Sequence, residues 1–415
     1  MSQASFREGI RLLARPDVAK LFTAYLITYS GSAMAPIAIA FGVLELTGSA
    51  RDSAIVIAAP TIGSIVVMLF SGALADRTSR QHVMVLAEIL AACSQCVIAA
   101  LFLTGNATVP VLALLMLVNG TAMALNAPAQ SGFVPQIVDP GELQAANSLL
   151  GTARNGATML GAAIAGVLVA LFGAGIAIAI DAATFLLSAT LIASLRPRAQ
   201  EPSPPASLVT DLVLGWKEFT RHEWLWTIVL QFSFLVAVME AVFGLLGPAT
   251  AKLHMNGAVD WGFIAAASGA GTIVGGIAAM RLNVSRPMLF ASNCVWFFAL
   301  VPLALILPLP VAWVAGAAFF GGIAGQFFAV LWYTTLQTEV PQHLLSRVSA
   351  YDHFGSIALA PLGVVAGGFL FESIGGSVTL GLAAGVVLLS TFVILLVPGV
   401  RNLRARSPQP VSELG

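Results

Sequence analysis

Apolar runs of about 20 residues or more recur along the chain, each ended by a short polar interval, and that length matches the roughly 30 Å hydrocarbon core of a bilayer. Helices are the expected spanning element, because lipid offers no partner to an open backbone N–H or C=O. The pattern predicts twelve spans, near 20–45, 53–75, 82–104, 109–132, 144–171, 175–195, 224–248, 259–281, 286–308, 311–334, 345–371 and 375–398. One interval breaks the rhythm: "RPRAQEPSPPASLVTDLVLGWKEFTRHEW" lies between the sixth and seventh runs. Its Pro/Ser-rich start reads as a linker, and the helical periodicity of "LVTDLVLGWKEF" predicts an amphipathic helix on the membrane surface. The expected organisation is an interfacial segment at 1–19, a six-helix half at 20–195, a linker at 196–223, a second six-helix half at 224–398 and a tail at 399–415.

Composition agrees with this pattern. Of 415 residues 58% are hydrophobic and only 9% charged, where a soluble domain carries roughly a quarter charged; mean hydropathy is +0.92. The net charge of zero gives no reason to expect nucleic acid. "MSQASFREGIRLLARPDVAK" is basic and weakly amphipathic, unlike a cleaved signal peptide. Cys93, Cys96 and Cys294 all lie in apolar runs, so packing is the expected role even for the CxxC pair. No metal spacing, phosphate loop or nucleophile motif is present, and no cofactor is expected.

Positive charge orients the chain. Arg7, Arg11, Arg15, Lys20, Arg77, Arg80, Arg196, Arg198, Lys217, Arg221, Arg281, Arg286, Arg347, Arg401, Arg404 and Arg406 fall on the side of the termini, and only Arg51 and Lys252 on the other. Sixteen against two predicts cytoplasmic termini. The halves also repeat at an offset of about 201 residues: Pro140 matches Pro341, Gly120 matches Gly321, and the small pair Ala162/Gly166 matches Gly363/Gly367. Small-xxx-small pairs let helices approach closely in lipid. A parallel six-plus-six repeat is a transporter architecture with the substrate path between its halves.

"GALADRTSRQ", closing the second span, resembles the loop between helices 2 and 3 of the major facilitator superfamily through Gly72, Leu74, Ala75, Asp76, Arg77 and Arg80. Gln81 stands where a second base is common. "APAQSGFVPQIVDPGELQAANSLLGTARNGATMLGAAIAG", "IDAATFLLSATL" and "YTTLQTEVPQHLLSRVSAYDHFGSIALAPLG" resemble that superfamily's drug:proton antiporter branch, which includes macrolide efflux proteins and the enterobactin exporter. The resemblance covers essentially the whole chain. It implies an all-α membrane protein of the major facilitator fold, alternating access and proton-coupled export in the cytoplasmic membrane of a prokaryote, by a monomer. Two departures stand out. In "TYSGS" Ser32 replaces the branch's helix 1 acid, and in the second-half copy of the loop motif Met280, beside Gly276 and Arg281, stands where an acid would.

A carboxylate is favourable at a helix N-terminus. Asp76 is therefore expected to dock on the start of the eleventh helix, near Leu345 and Ser346, when that face closes, with Arg77 and Arg80 pairing to acids or lipid phosphates. Gly72 belongs to the same gating motif. Ionisable groups within spans cost about 2.5–3.5 kcal/mol each at the bilayer centre and so face a cavity or a partner. Glu240 is the first choice for proton coupling, since helix 7 of the resembled fold lines the central cavity. Arg154 is expected to pair with an acid, Asp181 leans structural, and Asp352, His353 and Glu88 sit toward the interface. An apolar, aromatic substrate cavity is expected to draw on Tyr25, Tyr29, Gln231, Phe234, Gln326, Trp332 and Tyr333. The expected partners are a small amphipathic substrate, protons and the bilayer. A nutrient importer or facilitator is the alternative, and a membrane-embedded enzyme a remote one.

Overall fold

The computed structural model of the protein describes residues 11–139, 142–198, 208–279, 282, 284–307, 309–341 and 344–405; the side chains of 68–77, 131, 144, 148, 208–212 and 346 fall outside the description. Arg7, Pro140, Met280, Arg281 and Arg406, and all but the backbone of Gly72, Asp76, Arg77 and Ser346, therefore lie outside it.

The first crossing is made by α1 (Pro16–Ser32) and α2 (Ala35–Thr47), parted where Pro36 has no N–H to continue the ladder. α3 (Ala50–Arg77), α4 (Arg80–Leu103) and α5 (Val109–Ile137) cross singly. α6 (Leu143–Ala193) runs for 51 residues and leaves helical geometry at Gly173, φ 78° and ψ 171°. At 1.5 Å per residue such a helix is about 76 Å long, more than twice the bilayer core, so it makes two crossings that join at the glycine. The linker holds α7 (Leu208–Arg221). In the second half α8 (Glu223–Ala241) passes through a π turn, Val242–Leu246, into α9 (Gly247–His254). Pro248 cannot donate to the preceding turn, which widens to a π ladder. α10 (Ala258–Ala279) is followed by α11 (Pro287–Cys294), a 3₁₀ turn and α12 (Leu300–Ile306) as one crossing. Then come α13 (Val311–Glu339), the pair α14 (Leu345–Ile357) and α15 (Ala360–Ile374), α16 (Gly376–Leu396) and the short α17 (Pro398–Asn402). Eleven stretches among the described residues are long and apolar enough to span a bilayer, and the one containing α6 crosses twice, which gives twelve crossings.

α7 is only partly a surface helix. Phe219 is buried and Trp216 stacks on Tyr351 of α14 at 5.4 Å, while Val213 and Leu214 stay exposed.

The apolar core has three large parts. One joins both halves at the face opposite the termini, through residues such as Phe41, Val56, Ile178, Leu245 and Trp261. The other two lie at the terminal face and each belongs to one half, around Phe133 and Leu149 in the first and Trp224 and Trp332 in the second. The halves thus meet at the opposite face, and the cleft between them opens toward the termini.

The seam depends on missing side chains. A Cβ on Gly262 of α10 would sit 2.9 Å from the Gly166 backbone of α6, and one on Gly368 of α15 would sit 2.6 Å from Ala54 of α3. Gly161 packs against Ser30 and Ala33 as Gly363 packs against Ala237, and Gly120 lies on the Pro60 carbonyl as Gly322 lies on that of Ser268. Gly173 and Gly375 both take positive φ at the turns before α6's second crossing and before α16. These pairs run at 202, which corrects the register read as Gly120 with Gly321 and as Ala162/Gly166 with Gly363/Gly367. The span pattern is insensitive to a slip of one residue, which moves no span off the bilayer.

Polar contacts close the same face. Glu372 of α15 accepts hydrogen bonds from Ser49 Oγ (2.7 Å) and the Arg51 backbone N–H (3.0 Å), so it caps the first turn of α3 from the other half. The Arg51 guanidinium lies 4.2 Å from the Phe369 ring centre, and Lys252 Nζ donates to the Leu44 carbonyl at 2.6 Å.

Two outcomes are expected. In Gly262→Val neither backbone can give way, and overpacking of about 1–3 kcal/mol shifts the population away from this state roughly 5- to 150-fold. Spin labels at exposed Leu46 and Leu253, in a chain without its three cysteines, would then report a widened distance; an unchanged distance contradicts the seam. Glu372→Ala removes a cap worth about 1 kcal/mol, near a fivefold shift in the same measurement, whereas Glu372→Gln keeps an acceptor and shifts it less.

Candidate functional site

Where the halves part, a cavity of about 320 Å³ lies between them. Tyr29, Ser32, Pro36, Ile37, Thr158 and Ala162 form one wall and Phe243, Trp261 and Ala265 the other. The lining is apolar and aromatic, with a few hydroxyls.

Two lone charges border the cleft. Arg154 is exposed, its guanidinium lies 6.0 Å from the Tyr29 ring centre, and no carboxylate among the described residues forms an ion pair with it. The expected acid partner is therefore replaced by an aromatic face. Tyr333, on α13 of the other half, is 58% exposed. Glu240 is exposed and has no hydrogen-bond or ion-pair partner among the described residues. Phe243, one turn on, lines the cavity itself.

Of the seven residues expected to line the cavity, Tyr29 does so, and its hydroxyl donates to Gln130 Oε1 at 3.0 Å. Tyr25 is buried edge-on against Tyr29. Gln231 is buried and donates to Thr391 on α16, and Gln326 packs against Gly275 and Gly276 of α10. Trp332 is buried between Trp224 and Phe328 and donates Nε1–H to Asp352 at 2.9 Å. Phe234 is exposed with Trp226 and Leu230 on one stripe of α8, which Ser233 and Ala237, packed on α14 and α15, separate from Glu240. It faces away from the cavity. Uniformly apolar helices carry no periodic signal of which side meets the cleft, which explains these differences.

The first half holds a second, smaller cavity of about 130 Å³, lined by Thr28, Tyr29, Ser32, Glu88, Asn126 and Gln130 among others. Glu88 is 1% exposed, so it lies in the bundle's interior and not toward the interface as expected. It accepts from Thr28 Oγ1 at 2.9 Å and Asn126 Nδ2 at 3.0 Å. Asp181 is fully buried nearby and accepts from Gln95 Nε2 at 2.9 Å. Its carboxylate presses on α1 where Gly31 has no side chain. The acid absent at Ser32 is thus supplied next door, from the sixth crossing. A signal was available: Tyr25, Thr28, Tyr29 and Ser32, then Glu88 and Gln95, Asn119 and Asn126, and Asp181, Thr184 and Ser188 recur at spacings of three, four and seven. Four apolar helices each carry a polar stripe, and the stripes meet.

At the terminal face α3 stays helical through Asp76 and Arg77, whose side chains lie outside the description. Arg80 donates to the Gly132 carbonyl, which it reaches because a Cβ there would occupy its place. Gln81, where a base is common, donates to the carbonyls of Ile192 and Leu195 at 2.9 Å and so caps the end of α6 as a base would. Arg15 pairs with Glu142 at 2.6 Å and Arg198 with Asp139 at 2.6 Å; the Arg198 hydrogen bond and charge hold the Asp139 carboxyl below its ordinary range.

The chain is 29% identical over 401 residues to the multidrug efflux pump Tap of Mycolicibacterium fortuitum, covering 92% of this chain and 96% of that one. It is 24% identical over 426 residues to the enterobactin exporter EntS of Escherichia coli K12, covering 99% of each. Among solved structures it resembles the nucleoside transporter NupG, with a TM-score of 0.73 at 14% identity over 91% of this chain and 98% of that one. A POT family transporter in complex with 5-aminolevulinic acid superposes with a TM-score of 0.70 at 12% identity over 92% and 96%. The Major Facilitator Superfamily model matches residues 21–354, and with the two-half bundle around a central cavity this makes the chain a member of that superfamily of transporters.

Proposed function

We propose that the protein exports amphipathic small molecules from the cytoplasm by alternating access, driven by proton entry, as a monomer in the cytoplasmic membrane of a prokaryote. The observation that carries this reading is the apolar, aromatic cavity between the halves, with Arg154 against its Tyr29 and Glu240 one turn from its Phe243, neither of them ion-paired among the described residues. Such a lining binds by area and leaves a few polar groups to orient the ligand. The cleft opens toward the termini, the side that carries sixteen of the nineteen Lys and Arg, so substrate enters from the cytoplasm. The named activities of Tap and EntS support the export direction.

Glu240 is the cavity carboxylate at which substrate and proton compete, and Arg154 orients acidic or carbonyl groups of the substrate from the opposite wall. Closure of the cytoplasmic face brings Asp76, at the end of α3, onto the first turn of α14. It is the counterpart of Glu372, which caps the other end of the same pair of crossings in the present state. One crossing pair then carries a carboxylate latch at each end, and the two latches alternate.

Proteoliposomes tested with a cationic dye, a macrolide and a catecholate siderophore should show efflux that a pH gradient accelerates and a protonophore abolishes. Glu240→Gln should lower gradient-driven efflux about tenfold or more and weaken binding of the same compound. Retained full proton-dependent efflux in that variant removes Glu240 from the role, and transport of the panel down its gradient alone, indifferent to pH, favours a facilitator.

A further inference from the structure

We propose that the small pocket around Glu88 inside the first half is a proton-carrying site separate from the substrate cavity, with Glu88 as the carrier. Asp181 is its charge partner, and Tyr29 and Ser32 form its passage to the cleft. This rests on the proton-coupled reading above and adds a second proton site to the one at Glu240.

Hydrogen-bond capacity makes the first argument. Ionised Glu88 has a donor for each oxygen, the Thr28 hydroxyl and the Asn126 amide. A purely structural acid needs nothing more. Around the pocket, two amide oxygens nonetheless have no donor among the described residues, Asn126 Oδ1 beside Glu88 and Gln95 Oε1 on the amide that holds Asp181, and the Ser188 hydroxyl stands beside Glu88, free to donate or accept. Gln95 and Ser188 are each 99% removed from solvent. Buried polar atoms without partners are rare, because each costs about 1–3 kcal/mol. A proton on Glu88 supplies what is missing: its O–H donates to Ser188 Oγ or, after the Asn126 amide turns over, to Asn126 Oδ1. The same amide turn at Gln95 presents Oε1 to a protonated Asp181. Both charge states of each acid thus have a full set of partners.

Charge makes the second. The titratable groups facing Glu88 are Tyr25 and Tyr29 from α1 and Asp181 from the second crossing of α6, while α5 presents neutral Asn126 and Gln130. No Lys or Arg among the described residues pairs with either acid, and Arg154 lies beyond the tyrosines, near enough to act on Tyr25. Glu88 and Asp181 repel one another, which opposes ionising both in a low-dielectric interior. The charge of an ionised Glu88 is therefore held by neutral dipoles alone, an arrangement that lets a proton leave and return.

Access makes the third. Tyr29 and Ser32 line both the pocket and the central cavity. The Tyr29 hydroxyl, bound to Gln130, stands at the boundary. A proton released from Glu88 enters the cleft past these two residues, toward whichever face the cleft is open.

The test is the protonated-carboxyl C=O stretch in the infrared spectrum of the purified full chain, followed through a pH titration without substrate. Wild type minus Glu88→Gln should contain one titrating carboxyl band, and Glu88→Asp should restore a band. A difference spectrum without such a band overturns the proposal. If Glu88→Gln does not fold, Asn126→Leu is read instead: losing both amide groups should move the midpoint of the band, and an unmoved midpoint overturns the role of the pocket. In proteoliposomes, Glu88→Gln should lose about tenfold or more of the gradient-driven efflux of whichever panel compound wild type exports, with that compound's binding retained; full drive in the variant overturns Glu88 as carrier. Wild-type efflux indifferent to pH overturns the coupling reading instead, and leaves the infrared result to stand by itself.

Discussion

The two halves meet backbone to backbone, and this is possible only where side chains are absent. Lipid tails give apolar helices no reason to leave them for each other, so association in the membrane rests on close packing and on hydrogen bonds. Gly166 against Gly262, and Gly368 against Ala54, supply the first; Glu372 at the start of α3 and Lys252 at the end of α2 supply the second. Below this seam each half has its own apolar core, built around Phe133 in one and Trp332 in the other. Close-packed cores deform little, while a shallow seam between smooth helix faces can part. Relative movement of the halves therefore takes place at this seam, while each half moves with its own core.

The cost of charge in hydrocarbon arranges the rest. Each acid within the bilayer has one of two solutions. Glu88, Asp181 and Asp352 are buried and hydrogen-bonded by neutral donors: a hydroxyl and amides in the first half, an indole in the second. Glu240 instead stays exposed, three residues before Phe243 of the cavity wall. The halves consequently differ in character although they share a fold. The first has a polar interior, in which Asp181 presses on Gly31, and the second an aromatic one, in which Trp332 lies edge-on to Trp224, stacks on Phe328 and donates to the buried Asp352.

The spans were legible because their signal is length and composition, and both are imposed by the bilayer. Even the three-residue gap left between 171 and 175 marked a true break, since Gly173 leaves helical geometry where that run divides. The repeat was legible to within one residue; only the partners of Gly161, Gly166 and Gly322 fix its register at 202. Facing was the part that did not come through. In a soluble helix the polar side is the wet side, but here lipid and core are equally apolar, so Phe234 and Trp332 looked alike although one is exposed and the other buried. The polar stripes on α1, α4, α5 and α6 were the exception, because polar residues in a spanning helix have nowhere to go but inward. Read as a set, not one ionisable group at a time, they point at Glu88.

A shared wall has a mechanical consequence. Tyr29 and Ser32 belong to α1, whose lower part packs in the first half's own core and whose continuation, α2, lies in the cluster that joins the halves. The crossing bends between these parts, at Ala33 and Met34, next to the boundary of both cavities. Movement of the seam is therefore transmitted to the hinge that separates the small pocket from the cleft. α2 packs chiefly on α3 and α6 of its own half and also touches α9 and α10 of the other, so it links the seam to the break before Pro36. The positions of the glycines in the seam and of the proline in the first crossing thus bear on the same event: they decide which face the cavity and its polar neighbour share.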